Sequence, residues 1–181
     1  ADKELLDGFI AGISKIAGVE RVSYPALMAE RLHATVGKIR LVLVLFGDHK
    51  PWMGNGGSVY EEMGIDFDTS TLAGFRNYYA TPYLIWANRA AKEVLGADFT
   101  GDGGDFSPCF LMTRLFDACG WAGPGYMQLS RAMRDISPLL HTNGLFLHDG
   151  VLTSVLSDTD RSFYRSWLAV QYYREHVAAY S

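Results

Sequence analysis

The chain has little of what would place it by composition alone. No Lys/Arg cluster interrupts its 181 residues, and 16 basic side chains stand against 20 acidic ones. A net charge of −4 leaves no basic face to meet phosphate backbones, which argues against a nucleic-acid binder. Long apolar runs are also missing. The longest purely aliphatic and aromatic stretch is Leu41–Phe46, far too short to cross a bilayer as a helix. Ala1-Asp2-Lys3-Glu4 is acidic and leads into an amphipathic pattern, unlike a signal peptide. A soluble chain is expected from these absences, with room for membrane segments upstream in a parent protein. Cysteine is scarce too, with only Cys109 and Cys119. Ten residues along one helix would separate them by about 15 Å, beyond disulfide reach. Two buried apolar thiols are the expectation, and they leave the redox compartment open.

What is present fits one ordinary domain with a core: 49% hydrophobic and 20% charged residues. Leu5, Leu6, Phe9, Ile10, Ile13 and Ile16 recur at helical spacing before Gly18, predicting a helix over residues 3–17. Pro25 suits the start of a second helix, with Met28, Leu32 and Val36 as its stripe. Leu41–Phe46 is apolar on both faces, as in a central strand covered by helices on each side. Gly54-Asn55-Gly56-Gly57 reads as a long mobile loop. Thr81-Pro82 precedes an apolar segment, Tyr83–Trp86, that reads as a short strand.

Asp98, Thr100, Asp102 and Gly103 fit the first half of a calcium-binding EF-hand loop, but Cys109 stands where that loop needs a bidentate Glu. A solvated connector is the reading we take. Ser107-Pro108 predicts a helix start, with Ser as N-cap, running through Phe110, Leu111, Leu115 and Phe116 to Gly120. Further helices are expected over Tyr126–Ile136 and from Thr159 to Val177. The last would turn Phe163, Trp167, Leu168 and Val170 towards a core. The chain thus reads as mixed α/β with a helical C-terminal half, divided near residue 96 into an α/β part (1–96) and a mainly helical part (97–181).

Gly47-Asp48-His49 follows the apolar strand directly, and ligands in open α/β sheets bind at the carboxyl ends of strands. A carboxylate and an imidazole can both ligate a divalent cation, provided the chain bends so that neighbouring side chains converge. Gly47 makes such a bend cheap. The bland alternative is a turn-capping Asp beside an exposed His.

The flanks narrow the choice. Leu43-Val44-Leu45-Phe46-Gly47-Asp48-His49-Lys50-Pro51 resembles the strand-plus-Gly-Asp-His-x-Pro motif of the lipoteichoic acid synthase-like sulfatases, which are phosphoglycerol transferases and relatives in the alkaline phosphatase superfamily. Thr81–Asn88 looks like that family's Thr-Pro-apolar strand. Ser107–Gly120, Tyr126–Pro138 and the aromatic tail Trp167–Tyr173 resemble its later segments in the same order. The resemblance covers roughly residues 35–175.

It implies the C-terminal part of an alkaline phosphatase/sulfatase-like fold, a sheet flanked by helices. It also implies that Asp48 and His49 ligate Mn²⁺ or Mg²⁺, and that the substrate is an anionic phosphate or sulfate ester, lipid-linked or free. Family members are typically membrane-anchored with an extracytoplasmic catalytic domain, and they carry a threonine nucleophile and further ligands upstream. Thr35 is the only threonine before Leu41, and it falls on a predicted helix. The expectation is therefore a fragment with no catalytic residue of its own, silent without the upstream half of its catalytic domain.

Weaker candidates surround the pair. Lys50 is a candidate point charge for a substrate phosphate. Trp52, Asn55 and Tyr60 are candidates for one wall of a cleft in a loop that closes over the substrate, or for structural filler. His33 and His141 have no supporting pattern. His148-Asp149-Gly150 repeats the chemistry in reverse order, and reads as a turn. The reading from another class is a non-catalytic α/β binding or interaction module. A third is a small hydrolase that completes a metal site from His33, His141 or His148.

Overall fold

In the computed structural model the described residues are 39–51 and 53–177. The helices expected over residues 3–17 and from Pro25, together with His33, Thr35 and Trp52, lie outside them. The described residues are mixed α/β, with six α-helices and two small antiparallel sheets. They fall into two compact units, one holding residues 39–44 and 84–100, the other 45–83 and 101–177.

Strands β1 (Val42–Phe46) and β2 (Tyr83–Ala87) pair into a two-stranded ribbon, both where an apolar strand is predicted. The covering of β1 is a different matter. Its residues are only half-buried, and Phe46 is 59% exposed. β2 is its only pairing partner among the described residues. An unbroken apolar run is thus compatible with a two-stranded ribbon, because residue type alone does not say how many layers cover a strand.

In the first unit, Asn88 fastens the ribbon to helix α3 (Arg89–Leu95). Its Oδ1 accepts from Leu41 N–H (3.1 Å) and from Ala91 N–H (3.0 Å), so one side chain caps the helix and ends the ribbon. Its Nδ2 donates to Ile39 O at 2.8 Å, and its own N–H donates to Leu41 O. The residue is buried, as are Ala87 and Ala91 beside it in sequence. Gly96 ends the helix in the left-handed conformation.

The second unit contains α1 (Ser58–Glu62), α2 (Leu72–Tyr79), α4 (Leu111–Ala118), α5 (Gly125–Ile136), the hairpin β3 (Phe146–His148) and β4 (Val151–Thr153), and α6 (Asp158–His176). The segment expected to be a loop, Gly54–Gly57, includes a 3-10 turn that leads straight into α1. Its core is Phe110, Met133 and Trp167, with Phe106, Tyr126, Leu129, Ile136, Leu140, Phe163 and Tyr164 packed around them. The indole N–H of Trp167 donates to the buried Ser130 hydroxyl at 3.0 Å, so the polar edge of the largest core ring is satisfied. Arg174 lies over the Tyr126 ring, 4.0 Å from its centroid. Trp167 thus faces the core as expected. Leu168 and Val170, expected beside it, are exposed; Leu168 is turned by about 100° around the helix from Trp167.

Ser107 corrects another expectation. The helix does start there, as a 3-10 turn Pro108–Phe110 leading into α4, but the Ser107 hydroxyl makes no cap bond. It donates to Leu140 O (3.1 Å) and accepts from Leu140 N–H (2.8 Å), joining two distant backbone segments. Ser137 works similarly, donating to Leu139 O and accepting from Leu147 N–H. The reading of His148-Asp149-Gly150 as a turn agrees with the structure. Asp149 and Gly150 both have positive φ, the conformation a two-residue hairpin turn requires. Residues 98–105 contain no helix or strand, and Asp102 Oδ1 accepts from Gly104 N–H, as in a solvated connector. Both thiols are free; Cys119 is buried as expected, whereas Cys109 is exposed.

Candidate functional site

β1 delivers the chain to Gly47, and there the Gly47–Lys50 turn and the Thr81-Pro82 segment lock together. Gly47 N–H donates to Pro82 O at 3.1 Å, and the Thr81 hydroxyl donates to Gly47 O at 2.6 Å. A Cβ on Gly47 would lie 3.0 Å from Thr81 Cβ. The glycine therefore serves the close approach of Thr81, and no positive φ is involved. That corrects the expectation that Gly47 is there to make a bend cheap. The bend itself falls on Asp48 and His49.

The Asp48 and His49 side chains are 81% and 79% exposed. Asp48 Oδ1 accepts from His49 N–H at 2.8 Å, which fixes the carboxylate over the turn. His49 Nδ1 lies 3.1 Å from Lys50 O. A carbonyl can only accept, so in this contact Nδ1 is the donor, and Nε2 is the ring nitrogen a metal would meet. That Nε2 is 3.5 Å from Asp48 Oδ2.

An oxygen and a nitrogen donor so placed form a bite for a cation. With bonds near 2.1 Å, a 3.5 Å separation subtends roughly 110° at the ion, close to tetrahedral. An octahedral ion needs donors about 3 Å apart, a small closing for two exposed side chains. The donor types thus fit a divalent ion. Among the described residues, however, no third His, Cys, Asp or Glu joins them in a metal-binding group.

The chain beyond the turn is tied back at several points. The Lys50 ammonium donates to Asn77 O, near the end of α2. Two of its three N–H donors remain for a ligand. Tyr60, a candidate cleft wall, is buried, and its hydroxyl donates to Pro51 O at 2.6 Å, so it anchors the loop. Asn55 is exposed in the 3-10 turn. Rings then follow one another in contact: Tyr60 on Phe67, Phe67 on Tyr78, Tyr78 on Tyr79, and Tyr79 and Phe75 on His141. His141 is thereby a packing residue. His148 points its Nδ1 at Ile136 O (3.1 Å), with Nε2 3.7 Å from Asp149 Oδ2. Neither joins Asp48 and His49 in a cluster.

A comparison with known protein families, with curated proteins and with solved structures finds no match to this chain. The residues missed from sequence are Thr81 as a clamp and Asn77 as the seat of Lys50. Thr81-Pro82 offered a signal through the preference of a pre-proline residue for extended backbone. Asn77 offered none, since its carbonyl acts and not its side chain.

Proposed function

We propose that the Gly47–Lys50 turn supplies part of a divalent-metal site for transfer or hydrolysis of a phosphate or sulfate ester, in a sulfatase-like enzyme of the phosphoglycerol transferase branch. The observation that supports this is the convergence of Asp48 Oδ2 and His49 Nε2 at 3.5 Å, on a turn held to the Thr81-Pro82 segment by two hydrogen bonds. Asp48 and His49 bind the ion, Mn²⁺ or Mg²⁺. When bound, it polarises the ester oxygen as a Lewis acid. Lys50, seated on Asn77 O, adds positive charge beside the anionic group. The nucleophile and the remaining donors come from outside the described residues, on the upstream half of the catalytic domain. By the same reading that parent is membrane-anchored with its catalytic domain outside the cytoplasm. Among the described residues no helix is long and apolar enough to cross a membrane.

A second reading has its own observation. Asp48 Oδ1 already accepts the His49 N–H, as in a turn of a non-catalytic binding module. Mn²⁺ titration followed by paramagnetic broadening of His49 separates the two. A two-donor site should bind in the millimolar range and lose at least tenfold in Asp48→Ala. Broadening that is unchanged in Asp48→Ala would decide for the binding module. The chain alone should show no ester turnover, and robust activity of the purified chain would overturn the assignment of the nucleophile.

A further inference from the structure

A second site, independent of the Asp48–His49 turn, lies between α4 and α5. A cavity of about 340 Å³ is lined there by Gly103, Asp105, Phe106, Arg114, Arg134, Asp135 and Pro138. Two guanidinium groups line it, one from each helix. Arg114 is half-buried and makes no hydrogen bond or ion pair among the described residues. Arg134 uses Nη2 on Asp117 at 2.7 Å, whereas its Nη1, almost wholly covered, finds no acceptor among the described residues. A covered guanidinium N–H with no acceptor is costly, and an arriving oxygen removes that cost.

The carboxylates of the lining do not meet this demand. Asp105 is bound to Arg76. Asp135 is 3.9 Å from Arg134 Nη2, too far for a hydrogen bond, and its side chain is mostly exposed. Among Arg76, Arg114, Arg131 and Arg134, facing Asp105, Asp117 and Asp135, one positive charge is left over, and Arg114 is the arginine without a partner.

We infer that the Arg114–Arg134 cavity binds a small oxyanion, with Phe106 and Pro138 as an apolar wall beside it. Two guanidinium groups match the geometry of a phosphate or carboxylate, and neither must give up an existing partner. Nη1 is covered, so binding requires the Arg134 guanidinium to turn and present it.

The test is a titration of the full chain with inorganic phosphate at constant ionic strength, read from the arginine side-chain N–H resonances. Saturable shifts at Arg114 and Arg134 are expected. Arg114→Gln, which leaves the Asp117 pairs intact, should weaken binding about tenfold. Asp135→Asn should strengthen it, since a like charge leaves the rim; this variant keeps the test decisive should Arg114→Gln fold poorly. Phenyl phosphate separates two sources of the same chemistry. Tighter binding than inorganic phosphate assigns the cavity to an organic ester against the Phe106 wall, and equal binding assigns it to the free ion. Shifts that never saturate, or that are the same in both variants as in the unsubstituted chain, would overturn the site.

Discussion

A methyl group on Gly47 has nowhere comfortable to go. It would meet Thr81 Cβ at 3.0 Å, and Thr81 cannot retreat without stretching its 2.6 Å hydrogen bond to Gly47 O. Gly47→Ala should therefore cost about 1–2 kcal/mol in chemical denaturation, with shifts concentrated at Thr81, Asp48 and His49. A cost within error of zero would mean that the two segments are less tightly clamped than described. The Asp48–His49 bite depends on that clamp through the backbone alone, because neither side chain is held by packing. The dipeptide and its flanks were legible in sequence. What Gly47 does was not, because the constraint comes from a residue 34 positions away.

Among the elements, the β1–β2 ribbon and α3 meet in one side chain. Asn88 supplies a helix cap, a bond to Leu41 N–H and a bond to Ile39 O while fully enclosed. Asn88→Ala leaves those partners unsatisfied in a buried place. A loss of about 2–4 kcal/mol is expected, and hydrogen exchange should accelerate first at Leu41 and Ala91. Asn88→Asp should rescue the accepting bonds and leave the Ile39 carbonyl unpaired. This helix was not expected from the sequence, although an Asn cap and Gly96 as stop are its signals. Nor was α2 expected, although Thr71 caps it by accepting from Gly74 N–H at its start. The strands after Arg40 and Pro82 and the helices near 107–120, 126–136 and 159–177 were legible because their apolar spacing exceeds a turn or two. Neither the half-exposed state of β1 nor the Ser107–Leu140 pairing was legible, since both depend on what lies alongside in space.

For the molecule as a whole, the pH response has an identifiable source in Asp117. Partial burial raises its pKa, but hydrogen bonds and charge from Arg134 and Arg131 outweigh that and hold the carboxyl below the ordinary range. Its bonds are 2.6 Å to Arg131 Nε and 2.7 Å to Arg134 Nη2, joining α4 to α5. A carboxylate depressed in the folded state contributes stability that is fully present above its unfolded pKa of about 3.9. That contribution disappears as pH falls through the lower folded value. Asp117→Asn should thus cost roughly 2–3 kcal/mol at neutral pH, and the cost should shrink in acid, measured by urea unfolding across that window. An Asp117→Asn penalty that stays constant into acid would contradict the assignment. Neither this network nor the Arg114–Arg134 cavity is visible in sequence, where seven charged residues lie scattered over three helices and a loop.

The Gly47–Thr81 clamp carries a different consequence when followed along the chain. It brings residues 47 and 81 together, so residues 48–80 form a closed excursion that leaves and rejoins the scaffold at one point. Closing such a loop becomes only about 0.6 kcal/mol more costly each time its length doubles. The excursion can therefore lengthen at little entropic cost. Its length can change between the residues that tie it inward, Tyr60 on Pro51 and Phe75 and Tyr79 on His141, with the turn at its root left where the clamp holds it.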